Sequence, residues 1–156
     1  MRKLTLAIVL VLVASSRPAR ADFGLGLFLG RPTGIDFKIG LGGRSGLDIL
    51  LGSLELDHFN DDAYAHLTYL VTPVVGHGDA VIVPIRFGVG GALYGVSGDI
   101  DFAVRVPVEI GLRLRRTPLE FYGELALLAT LFDPHDPRDD ALQLDLQAGI
   151  GFRVYL

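Results

Sequence analysis

The 156-residue chain has no cysteine. That removes disulfide scaffolds, thiolate metal sites and cysteine nucleophiles, and it excludes a lipid anchor on a cysteine behind the N-terminal apolar run. Long apolar runs are also missing. Beyond residue 21 none approaches the ~20 residues that a membrane helix needs. No stretch shows convincing helical periodicity. Serines beyond that point are only Ser45, Ser53 and Ser97, and the histidines are His58, His66, His77 and His135. Hydrolytic chemistry needs a nucleophile and a base within reach of each other. Only His66 falls mid-strand in the pattern described below, pointing inward, with no serine obviously placed to meet it. The expectation is a protein that is not an enzyme and carries no cofactor, with His66 as an interior hydrogen-bonding residue. Gly88, Gly90 and Gly91 do not make a nucleotide loop, because no helix follows them.

A basic excess is absent too. The chain holds 14 Lys and Arg against 18 Asp and Glu. The N-terminus has a basic start (Arg2, Lys3), an apolar run from Leu4 to Ala14, and a small-x-small site at Ala19-Arg20-Ala21. These are the parts of a cleaved secretory signal peptide over 1–21, leaving one domain over 22–156. Cleavage would remove Arg2, Lys3, Arg17 and Arg20 from the 14 basic residues and none of the 18 acids, leaving a formal −8. Nucleic acid is excluded as a partner, since phosphate binding needs a basic face.

What the chain does have is apolar content: 50% hydrophobic residues and a mean hydropathy of +0.44. Without long runs, either a large soluble core or alternate positions of a membrane barrel must hold it. Alternation dominates. From Leu142 to Leu156, the residues Leu142, Leu144, Leu146, Ala148, Ile150, Phe152, Val154 and Leu156 share one face. Gln143, Asp145, Gln147, Gly149, Gly151, Arg153 and Tyr155 share the other. The same pattern runs over 23–30, 35–41, 47–52, 64–71, 81–90, 100–113 and 119–127, which makes eight strands. Turn chemistry separates them at 31–33, 42–46, 57–62, 73–79, 95–99, 115–118 and 133–140. Pro84 and Pro107 fall inside strands and predict bulges or strand ends. The expected fold is all-β: an eight-stranded antiparallel up-and-down barrel.

The polar face decides which side looks out. It carries Asp36, Lys38, Asp48, Arg86, Asp101, Arg105, Glu109, Arg113, Glu120, Glu124, Asp145 and Arg153, together with many glycines. An eight-stranded barrel has an interior just wide enough for side chains, and glycines with compensating charges suit it. A transmembrane barrel with an apolar exterior is therefore expected; the alternative is a soluble secreted lipocalin-like barrel that binds an apolar ligand. Hairpin register predicts a lumen charge network of Arg86, Arg105, Glu109, Arg113, Glu120, Glu124 and Arg153. In it Arg113 faces Glu120, Arg86 faces Glu109, and Glu120 lies beside Arg153. Glu109 would face Glu124, so that pair requires Arg86 or Arg105 nearby. The acidic loops 57–62 and 133–140 contain Asp61, Asp62, Asp136 and Asp139, weak candidates for Ca²⁺ or Mg²⁺ without EF-hand spacing; a solvated acidic rim is the simpler expectation.

The terminal run Gln147-Ala-Gly149-Ile-Gly-Phe152-Arg-Val154 resembles the C-terminal assembly signal of outer-membrane barrels, although the chain ends in Leu156 rather than an aromatic residue. The segment Gly30-Arg31-Pro32-Thr33-Gly34 resembles the Gly-x-Pro-Thr-Gly turn of the first hairpin in a family of small outer-membrane barrels with an OmpA/OmpX-like fold. The Arg105-Val-Pro107-Val-x-Ile-Gly111 stretch looks familial as well. The resemblance implies a Gram-negative outer-membrane location and a structural or porin-like role. It also implies outer-membrane lipid, periplasmic chaperones and the barrel assembly machinery as partners of a monomer.

Overall fold

Strict alternation gives each strand an apolar and a polar face, one of which is to be enclosed, and closing the sheet removes its open edges. A computed structural model describes residues 23–54, 62–96, 99–132 and 143–156. It shows eight strands: β1 (Phe23–Arg31), β2 (Thr33–Gly42), β3 (Ser45–Ser53), β4 (Asp62–His77), β5 (Val81–Val96), β6 (Asp99–Leu114), β7 (Leu119–Phe132) and β8 (Gln143–Tyr155). Each pairs antiparallel with the next, and β1 pairs with β8, so the sheet closes into a barrel. Residues 1–21, assigned to a signal peptide from the sequence, lie outside the described residues.

The strands outrun their sequence boundaries. The turn expected at 73–79 is mostly strand: β4 continues to His77 through a bulge, where the register shifts between Val71 and Val74. The bulge contains Pro73, which needs no ladder N–H there, and Thr72 N donates to Arg44 O across it at 2.8 Å. The turn signal was a bulge signal. Pro84 and Pro107 go the other way, marking neither bulges nor ends. The β5–β6 register steps from Ile82↔Arg113 to Ile85↔Ile110, and from Phe87↔Val108 to Gly90↔Arg105, without changing offset. Each proline sits in one of these intervals, and that offset puts a glycine opposite it: Gly111 for Pro84, Gly88 for Pro107. The strand passes straight through, interrupting the ladder only where the donor is missing.

The two ends of the barrel differ. Short turns (43–44, 78–80 and 115–118) lie at the same end as Phe23 and Tyr155. At the β2–β3 turn Gly42, Gly43 and Arg44 have φ of 82°, 58° and 66°, a left-handed path that glycine takes without steric cost. At the other end the Pro32 turn is tied by Thr33, whose hydroxyl donates to Gly30 O at 2.9 Å.

The faces are sorted by charge. Outward positions carry Leu25, Leu27, Ile35, Leu51, Leu67, Val89, Leu93, Val106, Ile110, Leu127 and Leu146, each 42–58% exposed. Among the described residues the one charged side chain on this face is Arg31, at the last position of β1 beside the Pro32 turn. Inward positions carry Asp36, Asp48, Arg86, Arg105, Glu109, Glu120, Glu124 and Arg153, all buried. The ions are inside, and the outward face is apolar.

Candidate functional site

The lumen contains two layers. Toward the longer-loop end, Phe28, Leu50, Tyr64, Ala92, Ala103, Ala126 and Leu128 form a buried apolar cluster. Phe28 stacks on Tyr122 with ring centroids 5.8 Å apart, and Tyr64 on Tyr94 at 6.5 Å. Beneath them, toward the short-turn end, lies the charged layer.

Arg153 is the hub of that layer and is completely buried. Its Nε donates to Asp36 Oδ2. Nη2 donates to Asp48 Oδ1 at 2.6 Å. Nη1 lies 2.8 Å from Glu109 Oε2 and donates to Glu120 Oε1 at 3.5 Å. The guanidinium also sits 3.7 Å over the Tyr122 ring, and Tyr122 OH donates to Asp36 Oδ2 at 2.6 Å. A planar fork with five donors can serve four carboxylates at once, one more than the three donors of a lysine ammonium could reach. Residues from β2, β3, β6, β7 and β8 meet at this one side chain.

Arg86 is the second centre. It holds Glu120 through two bonds of 2.8 Å and also donates to Glu109. Lys38 Nζ reaches the same Glu109 at 3.2 Å, and Tyr155 OH donates to Glu120 at 3.2 Å. Arg105 is the third. It donates to Glu124, to Thr68 Oγ1 at 3.0 Å and to His66 Nε2 at 2.9 Å. With Nε2 accepting, His66 Nδ1–H is directed at Tyr64 OH, 3.3 Å away, and Tyr64 OH donates to Gln147 Oε1 at 2.9 Å. Asp48 Oδ2 lies 3.2 Å from the same Nε2, a contact that is a hydrogen bond only in the other tautomer.

The register expected from the hairpins is the register present. Arg86 is opposite Glu109, Arg113 opposite Glu120 and Glu109 opposite Glu124, and Glu120 opposite Arg153. The unfavourable Glu109–Glu124 pair is resolved as required: Arg86, Arg153 and Lys38 attend Glu109, while Arg105 attends Glu124. Arg113 lies nearer the mouth, its guanidinium 4.1 Å over the Tyr155 ring. Hairpin reasoning missed Asp36, Lys38 and Asp48 as network members, although their inward parity was readable. It also missed the tyrosines, whose hydroxyls donate to Asp36 and Glu120.

A vestibule of about 380 Å³ opens at the short-turn end, lined by Lys38, Leu70, Pro84, Arg86, Arg113 and Tyr155 among others. The charged layer is its floor. Of the assembly-signal residues, Gln147 is buried in the lumen, Gly149 packs under the Phe28 ring, and Phe152 and Val154 face outward. The candidate metal ligands Asp61, Asp136 and Asp139 lie outside the described residues, and Asp62 opens β4. Among the described residues no three His, Asp or Glu side chains converge as a cation site. Of the serines, Ser45 donates to Gly42 O at 2.9 Å, and Ser53 is buried at the end of β3. No family model matches the chain, nor does any curated protein or solved structure.

Proposed function

We propose that this chain is an integral outer-membrane β-barrel protein of a Gram-negative cell, exported through a cleaved signal peptide. Its role is structural, with at most a narrow porin-like pore. The observation that carries the reading is the inverted distribution of polarity: charged side chains enclosed and apolar ones exposed around the whole belt. Soluble monomers rarely leave apolar patches of more than a few hundred Å² uncovered. In lipid the same surface is the stable one. The lumen supports the structural role over transport, because ion pairs and the apolar cluster occupy the cross-section that a pore would need. β8 places Phe152 and Val154 outward, where the assembly machinery would read them. A lipocalin-like binder would hold its ligand in an apolar lumen; here the apolar layer is filled by its own side chains and the layer beneath it is charged, which favours the membrane reading.

The test is a comparison of boiled and unboiled samples of washed outer membranes on an SDS gel, using cells that express the full chain. A band in that fraction whose mobility shifts on boiling is expected. Recovery only from the soluble periplasm, with no shift, would overturn the reading in favour of the soluble barrel. Single-channel recording then separates a closed barrel from a narrow pore.

A further inference from the structure

The vestibule at the short-turn end presents charge of one sign. The four charged residues of its lining are Lys38, Arg44, Arg86 and Arg113, all cations. The carboxylates lie behind them: Glu109 and Glu120 are fully buried, and neither lines the cavity. A solute entering from this end meets positive charge first.

The cations come from facing walls. Lys38 stands on β2 and Arg113 on β6, four strands apart in a closed barrel of eight. Arg86 is on β5, and Arg44 belongs to the β2–β3 turn. Lys38 and Arg86 are fixed by their bonds to Glu109 and Glu120, and the Lys38 bond uses one of three ammonium donors. Arg44 donates to Pro73 O at 3.5 Å, one of its five donors. Gly40, Gly42 and Gly46 line the cavity without filling it, and a Cβ on Gly42 would meet nothing within 4 Å. Leu70, Ile82 and Pro84 add an apolar part to the lining. Ion pairs and the apolar cluster occupy the lumen beyond, so the vestibule is a pocket and not a passage.

We propose that this pocket binds one small phosphate monoester, its phosphate held by the cations of the lining and its organic part against Leu70, Ile82 and Pro84. A dianion answers cations on facing walls at once, and guanidinium forks match phosphate oxygens in charge and geometry. The volume of about 380 Å³ is at the small end of ligand pockets and leaves room beside the phosphate for a short carbon skeleton. The pocket lies inside the barrel wall, which suits a free solute and not a lipid whose chains lie in the belt. The inference goes beyond the structural role above and does not depend on what surrounds the belt.

Titration calorimetry of the full chain, folded in micelles of a phosphate-free detergent, tests this with glycerol phosphate. One glycerol phosphate per chain is expected, with glycerol and lactate not bound at the same concentration. Hydrogen bonds to charged groups are strong enough that Arg113→Gln and Arg44→Asn should each weaken binding about tenfold. Asparagine also tolerates the positive φ of position 44. Thr72→Tyr, which puts a ring into the cavity, should abolish binding. Arg116→Gln, at the same end but outside this lining, should bind like the parent. The heat-induced gel shift reports folding of each variant, and Arg44→Asn and Thr72→Tyr carry the test if Arg113→Gln does not fold. No saturable binding by the folded parent at millimolar ligand, equal binding of lactate, or an equal loss in Arg116→Gln would each overturn the proposal and leave the membrane reading intact. Competition by phosphatidylglycerol doped into the micelles would also overturn it, by assigning the cations to a lipid headgroup. Glycerol phosphate bound by a chain that is soluble without detergent would sink the membrane reading alone.

Discussion

Arg153 neutralises carboxylates from β2, β3, β6 and β7 while fully buried. Such a group stabilises less by its own attraction than by what its loss would leave behind. Removing one partner of a buried pair costs about 3–5 kcal/mol, because the other charge stays buried and uncompensated. For Arg153→Met the loss should reach the upper part of that range, read as a lower urea midpoint for the folded, heat-shifted form in vesicles. Glu120→Gln should cost less, because Arg86 retains Glu109 and Arg153 retains Asp36, Asp48 and Glu109. A midpoint for Glu120→Gln below that of Arg153→Met would mean that Arg86, not Arg153, is the hub. Within one hairpin these contacts could be read from residue spacing alone, since Arg86 and Glu109 are cross-strand neighbours. Across the lumen they could not. Asp36 and Arg153 are 117 positions apart, and nothing in either neighbourhood says that barrel closure brings them together.

At the scale of the strand, alternation told nearly everything about existence and facing, because every outward residue answers to the same surroundings. It told less about ends. Pro73 carries the mark of a turn and sits in a bulge, since a bulge and a turn both spare the N–H that proline lacks. Pro84 and Pro107 carry the mark of a break, yet the strands pass through, each proline opposite a glycine. Closure places a sharper demand, met by Gly26 on β1. A Cβ there would lie 1.9 Å from Phe152 O on β8, inside any permitted contact. Gly26→Ala should force the closing pair apart and abolish the heat-induced gel shift, or lower the folded fraction severalfold. Gly123→Ala, with no neighbour nearer than 4.0 Å, should fold like the parent. Equal folding of the two variants would show that the β1–β8 seam yields more easily than its geometry implies. The outward end of β8 invites a separate test. Replacing Phe152 and Val154 by serine should lower the outer-membrane fraction in cells more than it lowers folding of purified chain into vesicles. A parallel fall in both would mark these side chains as part of the lipid-facing surface only.

For the whole molecule, the central question is what the belt touches, and one substitution can ask it directly. Leu67 lies midway along the barrel wall, paired with Ile49 on one side and Gly91 on the other, and is 52% exposed. In water, an exposed Leu→Arg change away from special features shifts stability by no more than about 0.5 kcal/mol. At the midplane of a bilayer the same arginine costs about 2–4 kcal/mol, and the cost falls toward the interfaces. Leu67→Arg should thus lose about 2–4 kcal/mol in vesicles, measured from the denaturant midpoint. Leu41→Arg, near the short-turn end and already 53% exposed, should lose at most about 1 kcal/mol. That depth dependence is a property of lipid and not of the protein, because both leucines are comparably exposed on the isolated barrel. Two near-zero values would mean that water bathes the belt, and the exposed leucines would then need a protein partner to cover them.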